Sequence, residues 1–147
     1  MMKKVLYWIV GFGCVIQLIR PEFTNPKVDT ALAIHADEKV EKILKSSCYD
    51  CHSNETHYPW YRDVAPVSWV MSSNIEGGRK ALNFSTWATI DERIKDERLT
   101  RAKQLINNEL MPKSEYVMMH KNAVLNHEEK KVLDDFFNSE LKKISLH

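Results

Sequence analysis

Cys48-Tyr49-Asp50-Cys51-His52 is the stretch that decides the fold, because it predicts the group around which the chain packs. Two cysteines separated by two residues and followed at once by histidine form the attachment pattern of a c-type haem. Each thiol can add to one vinyl group of the porphyrin, and the histidine can bind the iron. We therefore predict Cys48 and Cys51 as covalent haem anchors and His52 as an axial ligand. A zinc site or a bare dithiol without haem is the alternative interpretation.

The composition is that of one ordinary globular domain with a short extension. The chain has 147 residues, of which 44% are hydrophobic and 28% charged. Its 21 basic and 20 acidic side chains leave a formal net charge of +1, so no basic stripe argues for nucleic acid. The 3 cysteines do not describe a disulfide framework. Only 4 glycines are present, which favours helices over a turn-rich sheet.

The N-terminus has the pattern of an export signal. Lys3 and Lys4 precede an almost wholly apolar run at 5–19, which Arg20 closes. We predict an uncleaved membrane anchor, with the remainder on the periplasmic or outer side of the cytoplasmic membrane. A cleaved signal peptide and a lipoprotein modified at Cys14 are the alternatives. The chain then divides into a signal or anchor segment at 1–20, a linker at 21–28 and a haem-binding domain at 29–147.

Hydrophobic periodicity predicts an all-α fold. The last helix begins at Asn126, because Asn126 and Glu129 have the spacing of a capping box. Ser85 or Thr89 is the expected cap of the helix before it. Gly77-Gly78 is expected to end a short helix that starts near Pro66. The remaining expected helices lie at 29–46 and 90–109.

Several longer runs resemble one known family. They are CYDCHSNETHYPWY at 48–61, APVSW at 65–69, GRKALNFSTW at 78–87 and LMPKSEYVMMH at 110–120. Together with VIQLIRPE at 15–22, they are similar to the small haem-binding-domain family of membrane-anchored c-type cytochromes, over most of residues 5–137. The resemblance implies a cytochrome c-like helical domain around one covalent haem, preceded by an apolar N-terminal helix. One departure is Gly77 where the family has glutamate.

The second axial ligand is predicted to be Met111. Its separation from His52 is typical of class I cytochromes, and Pro112 would hold a strap of backbone at the haem face. The plain alternative is that Met111 only fills the core. By resemblance, a backbone carbonyl near Pro59 or Pro66 accepts a hydrogen bond from the other ring nitrogen of His52. Other ligand candidates are Met71, Met118, Met119, His57 and His120, besides an open sixth position.

Aromatic residues concentrate between the motif and the long helix, and we expect them to form both the core and the haem pocket. Arg79 is the first candidate to pair with a haem propionate, ahead of Arg62 and Lys80. We expect His35, His127 and His147 to face solvent. The predicted pocket aromatics are Tyr58, Trp60, Tyr61, Trp69, Phe84 and Trp87.

These features predict an electron carrier rather than an enzyme. No convincing set of catalytic residues is found in the sequence, although a weak peroxidase-like activity is compatible with the prediction. The expected partners are redox proteins of unknown identity and the membrane, with no nucleic acid. The main functional alternative is a haem-based sensor or ligand-binding protein with an exchangeable sixth position.

Overall fold

Most of the helices follow one another closely, but a long stretch at 17–37 separates the first helix from the second. A computed structural model describes residues 1–146, and over that range it contains helices and no β-strand. The prediction for His147 therefore lies outside the described residues. Three 3-10 helices lie at Trp60–Asp63, Phe84–Thr89 and Lys121–Ala123. The α-helices are α1 (Met2–Ile16), α2 (Glu38–Ser47), α3 (Tyr49–His52), α4 (Val67–Ala81), α5 (Glu92–Asn107), α6 (Ser114–Met119) and α7 (His127–Ile144).

The core lies where α2, α5 and α7 meet. Leu44 of α2, Leu99 of α5 and Leu133 of α7 have no exposed surface, and Phe137 is 1% exposed. These residues belong to one continuous apolar cluster. Fully burying one such side chain contributes about 1.5–3 kcal/mol, so the cluster holds the three helices together. The short helix α3 packs instead against α4.

Helix α2 begins later than the sequence predicts. The expected start was residue 29, but the helix starts at Glu38, where the side chain of Asp37 accepts a hydrogen bond from the Val40 N–H at 2.9 Å. The residues before the helix form backbone hydrogen bonds with a distant part of the chain. The Ile34 N–H donates to the Phe84 carbonyl at 2.8 Å, and the Ala88 N–H donates to the Leu32 carbonyl at 2.9 Å. These long-range bonds replace the helix.

Helix α4 continues through the glycine pair that was expected to end it. It runs to Ala81, and neither Gly77 nor Gly78 has a positive φ. Gly78 is buried because α4 passes directly beneath the Cys51 backbone. The prediction of a helix end here was wrong, since the glycine allows a close approach between two elements rather than a turn.

The other two long helices agree with prediction. Helix α5 covers Glu92–Asn107 against the expected 90–109, although Asp91 caps it instead of Ser85 or Thr89. The capping box of α7 is confirmed. The Asn126 side chain accepts from the Glu129 N–H, and the Glu129 side chain accepts from the Asn126 N–H, both at 2.9 Å.

Helix α1 stands apart from the core. It buries none of its residues, and Trp8 and Phe12 are among the exposed large apolar side chains. Its connection to the domain is at its C-terminal end, through residues 17–19. Across residues 1–146, no helix combines the length and the apolar character needed to cross a membrane.

Candidate cofactor site

A cavity lies between the motif, the end of α4, and helices α5 and α7. Its volume is about 370 Å³, within the range of small-molecule and cofactor sites. Its walls are mainly apolar, and four charged residues lie among them. The lining includes Ser47, Cys48, His52, Lys80, Ala81, Leu82, Phe84, Glu97, Arg98, Arg101, Ala102, Leu105, Ile106, Met111, Pro112, Leu125 and Phe137.

The Cys-x-x-Cys-His motif forms α3 at a sharp junction with α2. Cys48 ends α2, where its N–H donates to the Leu44 carbonyl at 2.9 Å. Its own carbonyl then accepts from the His52 N–H at 2.9 Å and from the Cys51 N–H at 3.2 Å. Residues three and four apart on a helix lie on one face. Cys48 and His52 both line the cavity, whereas the half-buried Cys51 packs against α4 at Gly78 and is not a lining residue.

His52 is held by the backbone that follows α4. Its Nδ1 lies 2.9 Å from the Leu82 carbonyl oxygen, and since a carbonyl only accepts, Nδ1 carries the proton. Burial lowers the pKa of His52, while the hydrogen bond to Leu82 partly opposes that shift. The neutral imidazole leaves an unprotonated Nε2, the form that binds a metal. The predicted carbonyl near Pro59 or Pro66 was wrong; Leu82 supplies it.

The two motif thiols belong to half-buried residues and are neutral. Burial raises the pKa of Cys48 to about 12, and the charge of Cys51 adds to that shift. Burial likewise raises the pKa of Cys51 to about 11, with Asp50 contributing in the same direction. A redox-active dithiol needs a thiol of depressed pKa, and neither residue has one.

Gly78 sets the distance between α4 and the motif. A β-carbon added to it would lie against the Cys51 carbonyl oxygen and 2.9 Å from the carbonyl carbon. Gly77, its neighbour, has nothing within 4 Å of the same position. The sequence contained this signal in the glycine pair, but the pair was assigned to a helix end.

Met111 reaches the cavity through the turn that ends α5. The Glu109 N–H donates to Ile106 and the Leu110 N–H to Leu105, the hydrogen-bond pattern of a Schellman motif. Glu109 has φ 58°, the left-handed conformation that this turn requires. The turn reverses the chain, so the half-buried Met111 lines the same cavity as His52. An imidazole nitrogen and a thioether, two ordinary haem-iron ligands, thus border one apolar space.

Among the predicted pocket aromatics, only Phe84 lines the cavity. Its ring centroid lies 6.4 Å from that of His52. Trp87 is buried in the apolar cluster, where Lys95 lies over its ring. Trp60 is 83% exposed. The structure therefore does not extend the cavity to the aromatic loop after the motif.

The other predicted aromatics form hydrogen bonds away from the cavity. Tyr58 donates to the Thr24 carbonyl at 2.9 Å, and Trp69 donates to the Ile19 carbonyl at 2.7 Å. Tyr61 pairs with His120 at 2.8 Å. Their polar atoms tie the N-terminal segment and α6 to the domain, contacts that no local pattern could indicate.

Arg79 was predicted to face a haem propionate, but it joins the linker to the loop after the motif. Its guanidinium donates to the carbonyls of Ser53 and Thr24, and to the side chains of Asn25 and Thr56, at 2.8–2.9 Å. Arg79 is not among the residues that line the cavity, and its donors are engaged by these four partners.

The basic residues at the cavity are Lys80, Arg98 and Arg101. Of these, the sequence had suggested only Lys80. The two arginines lie three apart on α5, next to apolar lining residues of the same helix. This spacing was the available signal in the sequence.

The alternative ligands lie elsewhere. Met118 and Met119 are 65% and 60% exposed, and His120 is hydrogen-bonded to Tyr61. Met71 and His57 are not among the cavity residues. Within residues 1–146, no group of three or more His, Cys, Asp or Glu side chains is arranged to hold a metal ion.

The fold and the cavity define a small helical domain with a mainly apolar cavity of cofactor size. The family model described as a haem-binding domain matches residues 11–139. This chain therefore belongs to the haem-binding domain family. Searches of curated proteins and of solved structures gave no match.

Proposed function

We propose that this chain is a membrane-tethered c-type cytochrome that carries single electrons outside the cytoplasm. The observation that carries the proposal is the meeting of Cys48, His52 and Met111 at one apolar cavity in a haem-binding domain. Haem c supplies reversible one-electron chemistry at iron. The residues have to bind it, orient it and exclude water.

Each ligand has a separate role in this proposal. Cys48 and Cys51 form the thioether bonds, while His52 binds through Nε2 because Leu82 holds its Nδ1 proton. Met111 would supply a thioether to the iron, and thioether ligation favours the reduced state and raises the reduction potential. The apolar walls, including Phe84 and Leu125, limit water at the site and tune the potential in the same direction.

Lys80, Arg98 and Arg101 are the proposed partners of the haem propionates. All three line the cavity, and arginine pairs with carboxylates in a two-point geometry. Glu97 at the same site limits the net positive charge. This assignment replaces Arg79, whose donors are already engaged by the loop and linker.

The N-terminal sequence supports the proposed compartment. Apolar residues at 5–19 after Lys3 and Lys4 support retention of the segment as a tether, with the domain on the periplasmic side. That compartment is where c-type haem is attached. The proposed physiological partners are redox proteins that exchange one electron with the domain.

Covalent haem retention tests the proposal directly. The full chain is exported in a host with a haem-attachment pathway, then stained for haem on a denaturing gel and measured as the pyridine haemochrome. We expect one haem per chain, retained after denaturation. Cys48→Ser and Cys51→Ser should each reduce covalent retention, whereas the control Cys14→Ser should leave it unchanged. Exported protein without retained haem would overturn the proposal.

A further inference from the structure

An exposed apolar patch lies at the start of α4. It consists of Trp60, Val64, Val67 and Val70, with exposed fractions of 83%, 42%, 46% and 52%. Val67 and Val70 lie three apart on α4 and share a face. Trp60 and Val64 belong to the 3-10 helix and its C-terminal cap, which pack against α4. We call these four residues the valine patch.

The end of α1 is clamped beside this patch. The Gln17 side-chain nitrogen donates to the Ala65 carbonyl at 3.1 Å, and its oxygen accepts from the Ala65 N–H at 2.9 Å. Trp69 donates its indole N–H to the Ile19 carbonyl at 2.7 Å. Ala65 and Trp69 lie within the same segment as the valines. These bonds fix where the N-terminal segment leaves the domain.

The N-terminal segment, which is hydrogen-bonded beside the patch, also carries exposed apolar side chains. Leu18 and Ile19 are 82% and 63% exposed, and α1 buries no residue against the domain. Beyond Lys3 and Lys4 the side chains of α1 are almost wholly apolar, and such a helix needs an apolar environment to cover it. The clamp places the valine patch next to the C-terminal end of this apolar segment.

We propose that the valine patch rests on the headgroup layer of a lipid bilayer and sets the orientation of the haem domain on the membrane. The proposal rests on the tether of the proposed function and adds a second contact to it. Trp60 has the apolar ring and polar N–H that suit a membrane interface. Arg20 at the end of the tether supplies positive charge for lipid phosphates, whereas the charge of Arg62 is paired with Asp63 at 3.5 Å.

Cysteine accessibility tests this contact in the full, haem-loaded chain. In a Cys14→Ser background, Val67→Cys is compared with Glu76→Cys, an exposed position on the opposite side of α4. The chain is reconstituted in vesicles of phosphatidylcholine with a smaller share of phosphatidylglycerol. A membrane-impermeant maleimide labels the outward-facing fraction, and each rate constant is divided by that of the unfolded variant. We expect Val67→Cys to react about tenfold more slowly than Glu76→Cys.

Adding Gln17→Ala and Trp69→Phe removes the clamp bonds but keeps the tether. The rate at Val67→Cys should then rise to that of Glu76→Cys, while flotation with vesicles is unchanged. The contrary result is that Val67→Cys and Glu76→Cys react at equal rates with the clamp intact, in a chain that floats with vesicles and retains its haem. That result would overturn this proposal and leave the proposed function standing. A chain that does not float overturns both the tether and the patch contact.

A second copy of the chain is the rival occupant of the patch. Protection by lipid should persist when the vesicles are diluted with excess lipid, because it depends on the bilayer and not on protein density. Loss of protection at Val67→Cys on dilution would assign the patch to a contact between copies and would overturn the proposal.

Discussion

The Nδ1 atom of His52 lies 2.9 Å from the carbonyl oxygen of Leu82. Leu82 caps α4, where its N–H donates to the Gly78 carbonyl at 2.9 Å. The same helix packs beneath the Cys51 backbone at Gly78. Helix α4 therefore both orients the imidazole and supports the turn that carries the thiols.

Gly78→Ala should disrupt this support. The added methyl would collide with the Cys51 backbone, which has little freedom to move, so we expect a loss of about 2 kcal/mol or more in the free energy of unfolding. Gly77→Ala is the matched control, since its methyl meets nothing within 4 Å and should stabilise the helix by about 0.5–1 kcal/mol. Urea unfolding of the haem-loaded variants measures both. Equal effects would contradict the close contact.

Met111→Ala should remove the distal ligand. We expect a changed absorption spectrum, a lower reduction potential and binding of added imidazole, because the thioether that favours reduced iron is lost. Met118→Ala, at a position 65% exposed, should leave all three unchanged. An unaltered spectrum and potential in Met111→Ala would show that Met111 is not a ligand and would favour a sensor with an exchangeable sixth position.

Arg79→Met should destabilise the fold without altering the spectrum of the haem. The substitution leaves carbonyl groups of Ser53 and Thr24 without their donor, and we expect a cost of about 2 kcal/mol. Arg93→Met, on the exposed first turn of α5, should change stability by no more than about 0.5 kcal/mol. If Arg79→Met changed the haem spectrum and left the stability unchanged, Arg79 would have to be assigned to the haem site.

Tyr116→Phe should weaken the attachment of α6 to the motif. The Tyr116 hydroxyl donates to Asp50, between the two cysteines, at 2.6 Å, and its ring stacks on His120 at 4.3 Å. Losing this partly buried bond to a carboxylate should cost about 1.5–3 kcal/mol. Tyr58→Phe is the control, because its bond to the Thr24 carbonyl is neutral and exposed. Similar losses in the two variants would contradict a special role for Asp50.

Glu109→Gly should raise the unfolding midpoint. Glu109 adopts φ 58°, a conformation that glycine takes without strain. The substitution also removes the Glu109–Lys130 ion pair of 2.9 Å, so Lys130→Ala measures that loss separately. A midpoint that falls by more in Glu109→Gly than in Lys130→Ala would show that the left-handed turn carries no strain.

Local patterns predicted those parts of the fold that depend on neighbouring residues. The capping box at Asn126 and the extent of α5 are of this kind, since each is stabilised by bonds within one or two helical turns. The start of α2 and the passage of α4 through Gly78 were missed. Both depend on contacts with segments far away in sequence, at Phe84 and Cys51.

The sequence by itself determined the haem-binding family and identified the residues proposed to hold the cofactor, because Cys-x-x-Cys-His spacing is a local requirement of the chemistry. Only the tertiary structure decided which carbonyl holds His52 and which basic residues border the cavity. It also moved Arg79 and most of the loop aromatics away from that cavity. These assignments depend on side-chain direction and on long-range hydrogen bonds. Both are fixed only when helices that are distant in sequence pack together.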